Sequence, residues 1–190
     1  MRLLLVAYPG AGKGTQATRL AAHYGVPQLS SGELLRAEVQ RGSRIGKAAE
    51  DYLGRGDLVP DELVLRVLSS PILEAAKNGG FVLDGFPRTL SQAEAAYTLA
   101  QRSDVELQAV VYLRVGHDEL LRRLRARAGQ EGRSDDDDVT IGRRFEVFEN
   151  QTEPLLDFYD RRGILLEING EQPVEDVFAD ITGAVDNLVG

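Results

Sequence analysis

The sequence predicts a three-layer α/β/α fold, in which a parallel sheet of five strands lies between helices, and two observations carry that prediction. Short apolar runs alternate with longer amphipathic stretches along the chain, which is the pattern of repeated strand–helix–strand units. The first apolar run ends in a glycine-rich turn, and a lysine then opens an amphipathic stretch. A strand that passes through such a turn into a helix is typical of a phosphate-binding loop.

Composition narrows the class of protein. The 190 residues are enough for one domain with a sizeable core. The formal net charge of −8 repels nucleic acid and anionic membranes, so we expect neither as a partner. No cysteine is present, which excludes disulfides and thiolate metal sites. The first apolar run is too short for a signal peptide, and no stretch approaches membrane-spanning length, so we expect a cytoplasmic protein.

The elements follow from the order of these runs. Five apolar runs are predicted strands: Leu3–Ala7, Pro27–Leu29, Phe81–Leu83, Ala109–Leu113 and Ile164–Ile168. Helices are expected to begin near Lys13, Gly32, Ile45, Asp61, Leu90, Asp118, Thr140 and Val174. Because proline lacks the backbone N–H, Pro71 should end or kink the helix that precedes it. Residues 30–59 carry no strand signal and are interpreted as a helical insertion between the second and third strands.

The glycine-rich turn reads Pro-Gly-Ala-Gly-Lys-Gly-Thr over residues 9–15. Its glycines let successive N–H groups face one point, and Lys13 can reach the outer phosphates of a triphosphate. Two positions depart from the general pattern G-x-x-x-x-G-K-[ST]. Ala7 replaces the first glycine, and Gly14 replaces the hydroxyl residue, which arrives one position later as Thr15. An ordinary glycine-rich turn before a helix is the alternative.

The run P-G-x-G-K-G-T resembles the nucleoside monophosphate kinases, and adenylate kinase above all. Residues 30–36, Ser-Ser-Gly-Glu-Leu-Leu-Arg, are similar to the family's S-T-G-D-x-L-R, and residues 84–88 give its signature D-G-F-P-R. The resemblance covers about residues 2–178. It implies the P-loop fold, an NMP-binding insertion at residues 30–59, a short lid at residues 127–138, and the reaction ATP + AMP ⇌ 2 ADP. The lid segment has no cysteine or histidine, so we expect no structural zinc.

Asp84 directly follows the third predicted strand and is the candidate metal residue. Placed beside the first strand, it would face bound phosphates, where a carboxylate is unfavourable unless a cation lies between them. Mg²⁺ would supply that cation while keeping several of its waters. Because Gly14 lacks the usual hydroxyl ligand, we expect Asp84 to hold the ion through water. The alternative is that Asp84 only starts a turn.

Gln92 is the candidate residue for recognising the base of the acceptor nucleotide. The resemblance implies that Gln92 reads the edge of adenine, whereas kinases for UMP or CMP usually carry asparagine there. A glutamine amide offers both a donor and an acceptor to a base. Ser30 with Glu33 and Thr89 with Gln92 also match a capping box, so a purely structural role is an alternative. We favour AMP as acceptor, with a UMP/CMP kinase and a non-catalytic ATP-binding switch protein as the other hypotheses.

Arginines crowd the segment from residue 122 to residue 144, and helical phase sorts them. The inner-face arginines are Arg123, Arg127 and Arg144. The solvent-facing arginines are Arg122, Arg125 and Arg143. An inner-face arginine needs an anionic partner, few acidic residues share those faces, and a bound polyphosphate would supply one.

The resemblance implies roles for named positions. The catalytic set is Lys13, Arg88, Arg123, Arg133 and Arg144. The ATP-binding set is Gly10, Ala11, Gly12, Lys13, Gly14, Thr15, Arg123, Arg127 and Gln172. The AMP-binding set is Ser31, Arg36, Asp57, Leu58, Val59, Gly85, Phe86, Pro87, Arg88, Gln92, Arg133 and Arg144. The nucleotides ATP, AMP and ADP are the expected partners, and a monomer is the expected state.

Overall fold

The computed structural model describes residues 1–131 and 138–190, with side chains given for residues 1–126 and 139–190. Its centre is a parallel five-stranded sheet in the order β2-β3-β1-β4-β5. The strands are β1 (Arg2–Ala7), β2 (Gln28–Ser30), β3 (Phe81–Asp84), β4 (Ala109–Arg114) and β5 (Leu165–Asn169). Each predicted strand is confirmed, with its ends within one residue of the expected positions.

Helices cover both faces of the sheet, as the crossover connections of a parallel sheet require. They are α1 (Lys13–Tyr24), α2 (Ser31–Gln40), α3 (Arg44–Arg55), α4 (Asp61–Lys77), α5 (Leu90–Ser103), α6 (His117–Glu131), α7 (Asp138–Val147), α8 (Pro154–Asp160) and α9 (Val174–Val189). The predicted helix starts are all within two residues of the observed ones. The π-helical turn Phe148–Thr152 and α8 were not predicted. Among the described residues, no helix has both the length and the apolar composition that spanning a bilayer demands.

Pro71 does not end α4, which continues through it to Lys77, so that part of the expectation is wrong. The missing N–H removes one helical hydrogen bond, but both halves of the helix are held by packing. Leu68, before the proline, is buried in one hydrophobic cluster, and Ala75, after it, is buried in another. Tertiary burial therefore outweighs the local cost of the proline.

The apolar residues form two clusters. The main core lies between the sheet and its covering helices and includes the fully buried Leu3, Leu4 and Leu5 of β1. The second cluster joins the α2–α3 segment to α4 and to the turn after β3. Its buried members are Leu35, Ala49, Val59, Val64, Leu68 and Phe86.

The sheet order fixes where a ligand can bind. From β1 the chain first fills one side of the sheet with β2 and β3, and then crosses to the other side for β4 and β5. The order therefore reverses at β1. Open parallel sheets bind ligands at such a reversal, beyond the carboxyl ends of the strands. The glycine-rich loop that follows Ala7 lies at this position.

Candidate active site

The glycine-rich loop is shaped by two residues with left-handed backbone, Gly10 (φ 88°) and Gly12 (φ 91°). A Cβ on Gly10 would lie 2.8 Å from Leu124 Cγ, so this position also lets the loop pack against α6. A Cβ on Gly12 would meet nothing within 4 Å. No side chain caps α1 at Gly12. The first N–H groups of α1 are thus left for solvent or an anion.

A cleft of about 500 Å³ opens above the loop. Its walls bring together cationic side chains from α1, α2, the turn after β3, α6 and α7: Lys13, Arg36, Arg88, Arg123 and Arg144. The sequence separates these residues by up to 131 positions, yet they surround one space. In a chain whose net charge is −8, this is a locally built site for an anionic ligand.

Asp84 lies where the sequence predicted, because β3 pairs with β1 and places it opposite Leu5. Lys13 Nζ is 3.1 Å from Asp84 Oδ1, and both side chains are largely buried. A Cβ on Gly14 would lie 3.9 Å from Asp84 Oδ2. The other carboxylate oxygen therefore faces the loop at Gly14, and Lys13 is the carboxylate's counter-ion in this structure.

The donor set suits Mg²⁺ better than a transition metal. Within the described parts of the chain, no group of three or more His, Cys, Asp and Glu side chains is placed to hold a metal. A metal beside the loop would therefore depend on Asp84 as a single carboxylate. Mg²⁺ commonly binds through one or two carboxylates and completes its shell with water and phosphate oxygens, which fits this arrangement.

The turn after β3 places Arg88 in the cleft. Gly85 has a left-handed backbone (φ 83°), and its carbonyl accepts hydrogen bonds from Ser31 Oγ at 2.6 Å and from Arg88 Nε at 2.8 Å. The Arg88 carbonyl accepts from Thr152 Oγ1 at 2.8 Å. These bonds tie the turn to the start of α2 and to the π-helical turn, and they hold the Arg88 guanidinium in place.

Guanidinium groups are clustered around Arg88. Burial lowers the pKa of its guanidinium; the Asp84 carboxylate opposes this shift, while the guanidinium groups of Arg144 and Arg36 add to it. Arg36 folds back so that its Nη1 lies 3.3 Å from a Cβ built on Gly32. The guanidinium groups of Arg36, Arg88 and Arg144 are close enough to interact and line the same cleft, so they form a second cationic cluster beside the loop.

Arg123 joins two loops of the site. It donates from Nη2 to the Gly170 carbonyl at 3.0 Å and from Nη1 to the Ala11 carbonyl at 3.4 Å. Its inner-face position is confirmed, and one of the few acidic residues near that face is its partner. Arg123 Nε also donates to Glu119 Oε1 at 2.6 Å. Hydrogen bonds from Arg122 first and Arg123 second hold the pKa of Glu119 at about 2.

Arg143 is exposed, as predicted, but it has specific partners. It donates from Nε to Asp57 Oδ1 at 2.8 Å and from Nη1 to Glu146 Oε2 at 2.9 Å. Asp57 also accepts from Arg55 Nε at 3.1 Å. The carboxylate of Asp57 therefore links the segment after α3 to α7, the helix that carries Arg144. This ion pair was not predicted.

We expect Arg143→Ala to raise the pKa of the Asp57 carboxyl towards its ordinary value of 3.8. Arg143 is the largest cause of the lowered pKa and Arg55 the second. Because the folded state lowers this pKa, the stabilisation is present at neutral pH and is lost as the pH falls through the lowered value. NMR titration of the Asp57 carboxyl carbon measures it. Arg41→Ala is the control, since Arg41 pairs with Glu38 instead, and an unchanged Asp57 pKa in Arg143→Ala would contradict the ion pair.

A smaller pocket lies next to the Arg88 site. It is lined by parts of α2, α4, α5 and the segment after α3: Ser31, Gly32, Leu35, Leu53, Asp57, Leu58, Val59, Val64, Gly85, Arg88 and Gln92. Gln92 is buried, and its backbone N–H donates to Thr89 Oγ1 at 3.2 Å. The Ser30 hydroxyl accepts from the Glu33 N–H at 3.4 Å. The capping halves of both proposed boxes are therefore present. The side chain of Gln92 has other partners, described below.

Other predicted site residues are placed less directly. The side chains of Phe86 and Ala11 are buried, and that of Phe86 packs in the second cluster. Gln172 follows β5, and its side-chain amide donates to the Asn169 carbonyl and to Asp180 Oδ2. The side chain of Arg127, the whole of Arg133 and residues 132–137 of the predicted lid lie outside the described residues.

Tyr8 has a larger part in the site than the sequence indicated. Its ring lies 3.9 Å from the Phe148 ring, centroid to centroid, and 5.6 Å from that of Phe145. The start of the loop is thereby packed against α7 and the π-helical turn. An aromatic residue at this position was the only signal for that contact in the sequence, and its partners depend on the tertiary fold.

Ala7→Gly is expected to change ATP affinity by less than about tenfold, or about 1.4 kcal/mol. Ala7 ends β1 opposite Leu113, and among the described residues the one non-glycine with positive φ is Asp104. Ala7 therefore has an ordinary strand backbone. Glycine would loosen the unfolded chain and lower Tm slightly. Calorimetric titration with ATP and a thermal melt test this, and a large gain in affinity would show that Ala7 strains the loop.

Comparisons with known proteins agree with this geometry. The sequence model of the family described as adenylate kinase matches residues 5–164. An adenylate kinase from Synechococcus sp. is 47% identical over 184 residues, covering 97% of this chain and 98% of the relative. One from Leptospira biflexa is 45% identical over 176 residues, covering 93% and 95%. One from Nitrobacter hamburgensis is 42% identical over 196 aligned residues, covering 100% and 94%.

Proposed function

Since the chain belongs to the adenylate kinase family and is a nucleoside monophosphate kinase, we propose that it transfers the γ-phosphoryl group of ATP reversibly to AMP, with Mg²⁺, at the cleft above the glycine-rich loop. The observation that carries this proposal is the pair of anion sites in one cleft. One is the loop with Lys13 and the start of α1, and the other is the cluster of Arg36, Arg88 and Arg144. A protein that only bound ATP would not need the second.

The arrangement supports a division of roles. The loop amides from Gly10 to Thr15 and Lys13 hold the phosphates of ATP, while Arg36 and Arg88 hold the phosphate of the acceptor. Arg123 binds at the donor side, where it spans from the loop to the turn after β5. Arg144 lies in the cleft with both groups and neutralises charge on the transferring phosphoryl group. Arg127, Arg133 and Gln172 keep the roles that the resemblance implies.

No general base is required for this reaction. The nucleophile is a phosphate oxygen of the acceptor, which is already ionised at neutral pH. The work of the protein is to align two polyanions and to stabilise charge that spreads over the transferring group. When bound, Mg²⁺ would screen the phosphates from Asp84, which would hold it through water. Asp84 Oδ1 also lies 3.1 Å from Lys13 Nζ, so the two side chains form an ion pair beside the loop.

The small pocket supports the choice of acceptor. It adjoins Arg88, and its walls mix apolar side chains with the amide of Gln92. That combination suits a base with both a flat apolar face and a hydrogen-bonding edge. The insertion at residues 30–59 would carry most of this wall. The net negative charge disfavours nucleic acid and anionic membranes as partners, and we propose a cytoplasmic monomer that acts on small nucleotides.

A coupled assay with each monophosphate in turn tests the function. With MgATP as donor, AMP should be the best acceptor by kcat/KM, ahead of UMP and CMP. Faster turnover of UMP or CMP would contradict the assignment of adenine to the small pocket. ATP binding without transfer to any acceptor would instead favour the non-catalytic switch protein.

A further inference from the structure

The side-chain amide of Gln92 is held at both ends. Its Oε1 accepts from the backbone N–H of Arg88 at 2.7 Å, and its Nε2 donates to Asp61 Oδ1 at 2.5 Å. Gln92 itself is only 5% exposed. Asp61 is the first residue of α4, 31 positions earlier in the chain. The turn after β3 and the start of α4 therefore both hydrogen-bond to this one buried amide.

These partners fix which way the amide faces. A backbone N–H can only donate a hydrogen bond, and a carboxylate can only accept one. Turning the amide over would set an NH₂ group against the Arg88 N–H and a carbonyl oxygen against the Asp61 carboxylate. Both contacts would then be repulsive inside a buried site, so one orientation is strongly favoured.

The fixed orientation selects among bases. One N–H of Nε2 and one lone pair of Oε1 remain for a ligand in the small pocket that Gln92 lines. A 6-aminopurine presents an amino donor beside a ring-nitrogen acceptor, whereas a 6-oxopurine presents an oxygen acceptor beside a ring N–H donor. If the phosphate is held by the arginines, both purines bring their 6-substituent to the same end of the amide. If the Gln92 oxygen meets the 6-substituent, as the proposed acceptor AMP requires, the amide held in this orientation matches only the amino form.

We infer that Asp61 is a positioning residue that sets base specificity, by holding the Gln92 amide so that it accepts 6-amino and rejects 6-oxo purine monophosphates. This inference rests on the proposed function, because it names what determines the acceptor at the same site. The plainer role of Asp61, a favourable charge at the start of α4, would be served equally by any acidic residue of that turn. Glu62 is such a residue, but it pairs with Arg66.

The test compares AMP with inosine monophosphate, which has nearly the same size and differs at the 6-position. Asp61→Asn keeps the shape of the side chain but can donate as well as accept, so only the Arg88 N–H still favours one orientation of the Gln92 amide. We expect the ratio of kcat/KM for AMP to that for inosine monophosphate to fall by about tenfold or more. The change should come from KM, with kcat for AMP nearly unchanged.

Two variants serve as controls. Glu62→Gln makes the same carboxylate-to-amide change one residue away and should leave the ratio unchanged. Asp61→Glu restores a carboxylate and should recover much of the selectivity, which loss of helix stability alone would not explain. Thermal melts of all three variants check that they are folded, and asparagine is well tolerated at helix starts.

The outcomes separate the two claims. A wild-type protein that fails to phosphorylate AMP contradicts the proposed function itself. Alternatively, the wild type and the Asp61→Asn variant show the same preference for AMP over inosine monophosphate. That result leaves the proposed function in place and overturns the role of Asp61. An equal loss of selectivity in Glu62→Gln also overturns it, because the effect would then be one of charge at the helix end.

Discussion

Lys13→Met should lower kcat by about a hundredfold to a thousandfold, because it removes a preorganised positive charge from the phosphate site. Methionine keeps the length and much of the volume of the side chain. The loop backbone would remain, since Gly10 and Gly12 set its shape. ATP affinity should therefore fall less than kcat does. Steady-state kinetics and a direct ATP titration measure the two effects separately.

The same substitution should also lower Tm. Lys13 is the ion-pair partner of Asp84, whose side chain is only 13% exposed, and a largely buried carboxylate without its partner is costly. Adding Asp84→Asn should recover much of the Tm while activity stays low. Lys77→Met is the control, since Lys77 is exposed near the end of α4. If the Lys77 variant loses as much activity, the loss does not report on the phosphate site.

Arg144→Ala should lower kcat by about a hundredfold or more, and so should Arg123→Ala. Both guanidinium groups line the cleft, where they would offset charge on the transferring phosphoryl group. Arg122→Ala is the matched control, because Arg122 is exposed and pairs with Glu119 outside the cleft. Its kcat should be nearly unchanged. Arg143→Ala should also leave kcat nearly unchanged, since its partners are Asp57 and Glu146.

An equal loss of kcat in the variants of the two cleft arginines and of the two control arginines would show that helical phase does not separate the arginines by function. Arg123 needs one further comparison, because its removal also frees the carbonyls of Ala11 and Gly170. Arg123→Lys keeps a charge but loses the planar fork that spans the two carbonyls. If this variant is as active as the wild type, charge alone accounts for Arg123.

The parts of this molecule that the sequence predicted well are local. The run from Arg2 to Tyr24 specifies strand, loop and helix through apolar runs and glycines that are adjacent in the chain, and Asp84 follows because parallel strands end at one edge. Helical phase placed Arg123 and Arg144 in the cleft for the same reason, since it needs only the residues of one helix.

The parts that the sequence did not predict depend on how elements meet. The bonds of Asp61 to Gln92 and of Arg143 to Asp57 join residues 31 and 86 positions apart, and no periodicity encodes such a partner. Phe86 belongs to a signature motif, yet its ring is needed in the second cluster. The π-helical turn and α8 lack a distinct pattern of their own, because their buried residues continue the stripe of α7.

The second hydrophobic cluster has a consequence for how the protein opens. Its buried members, from Leu35 to Phe86, pack among themselves rather than into the main core, and α4 connects the two with Leu68 on one side and Ala75 on the other. Such a unit can lose its packing by itself, at a free energy well below that of global unfolding. Amide protons of α2 and α3 would then exchange with solvent through partial openings that leave β1 and β4 fully protected. The part of the protein around the acceptor would open at the lowest free energy, and the sheet beneath the loop would open only on global unfolding.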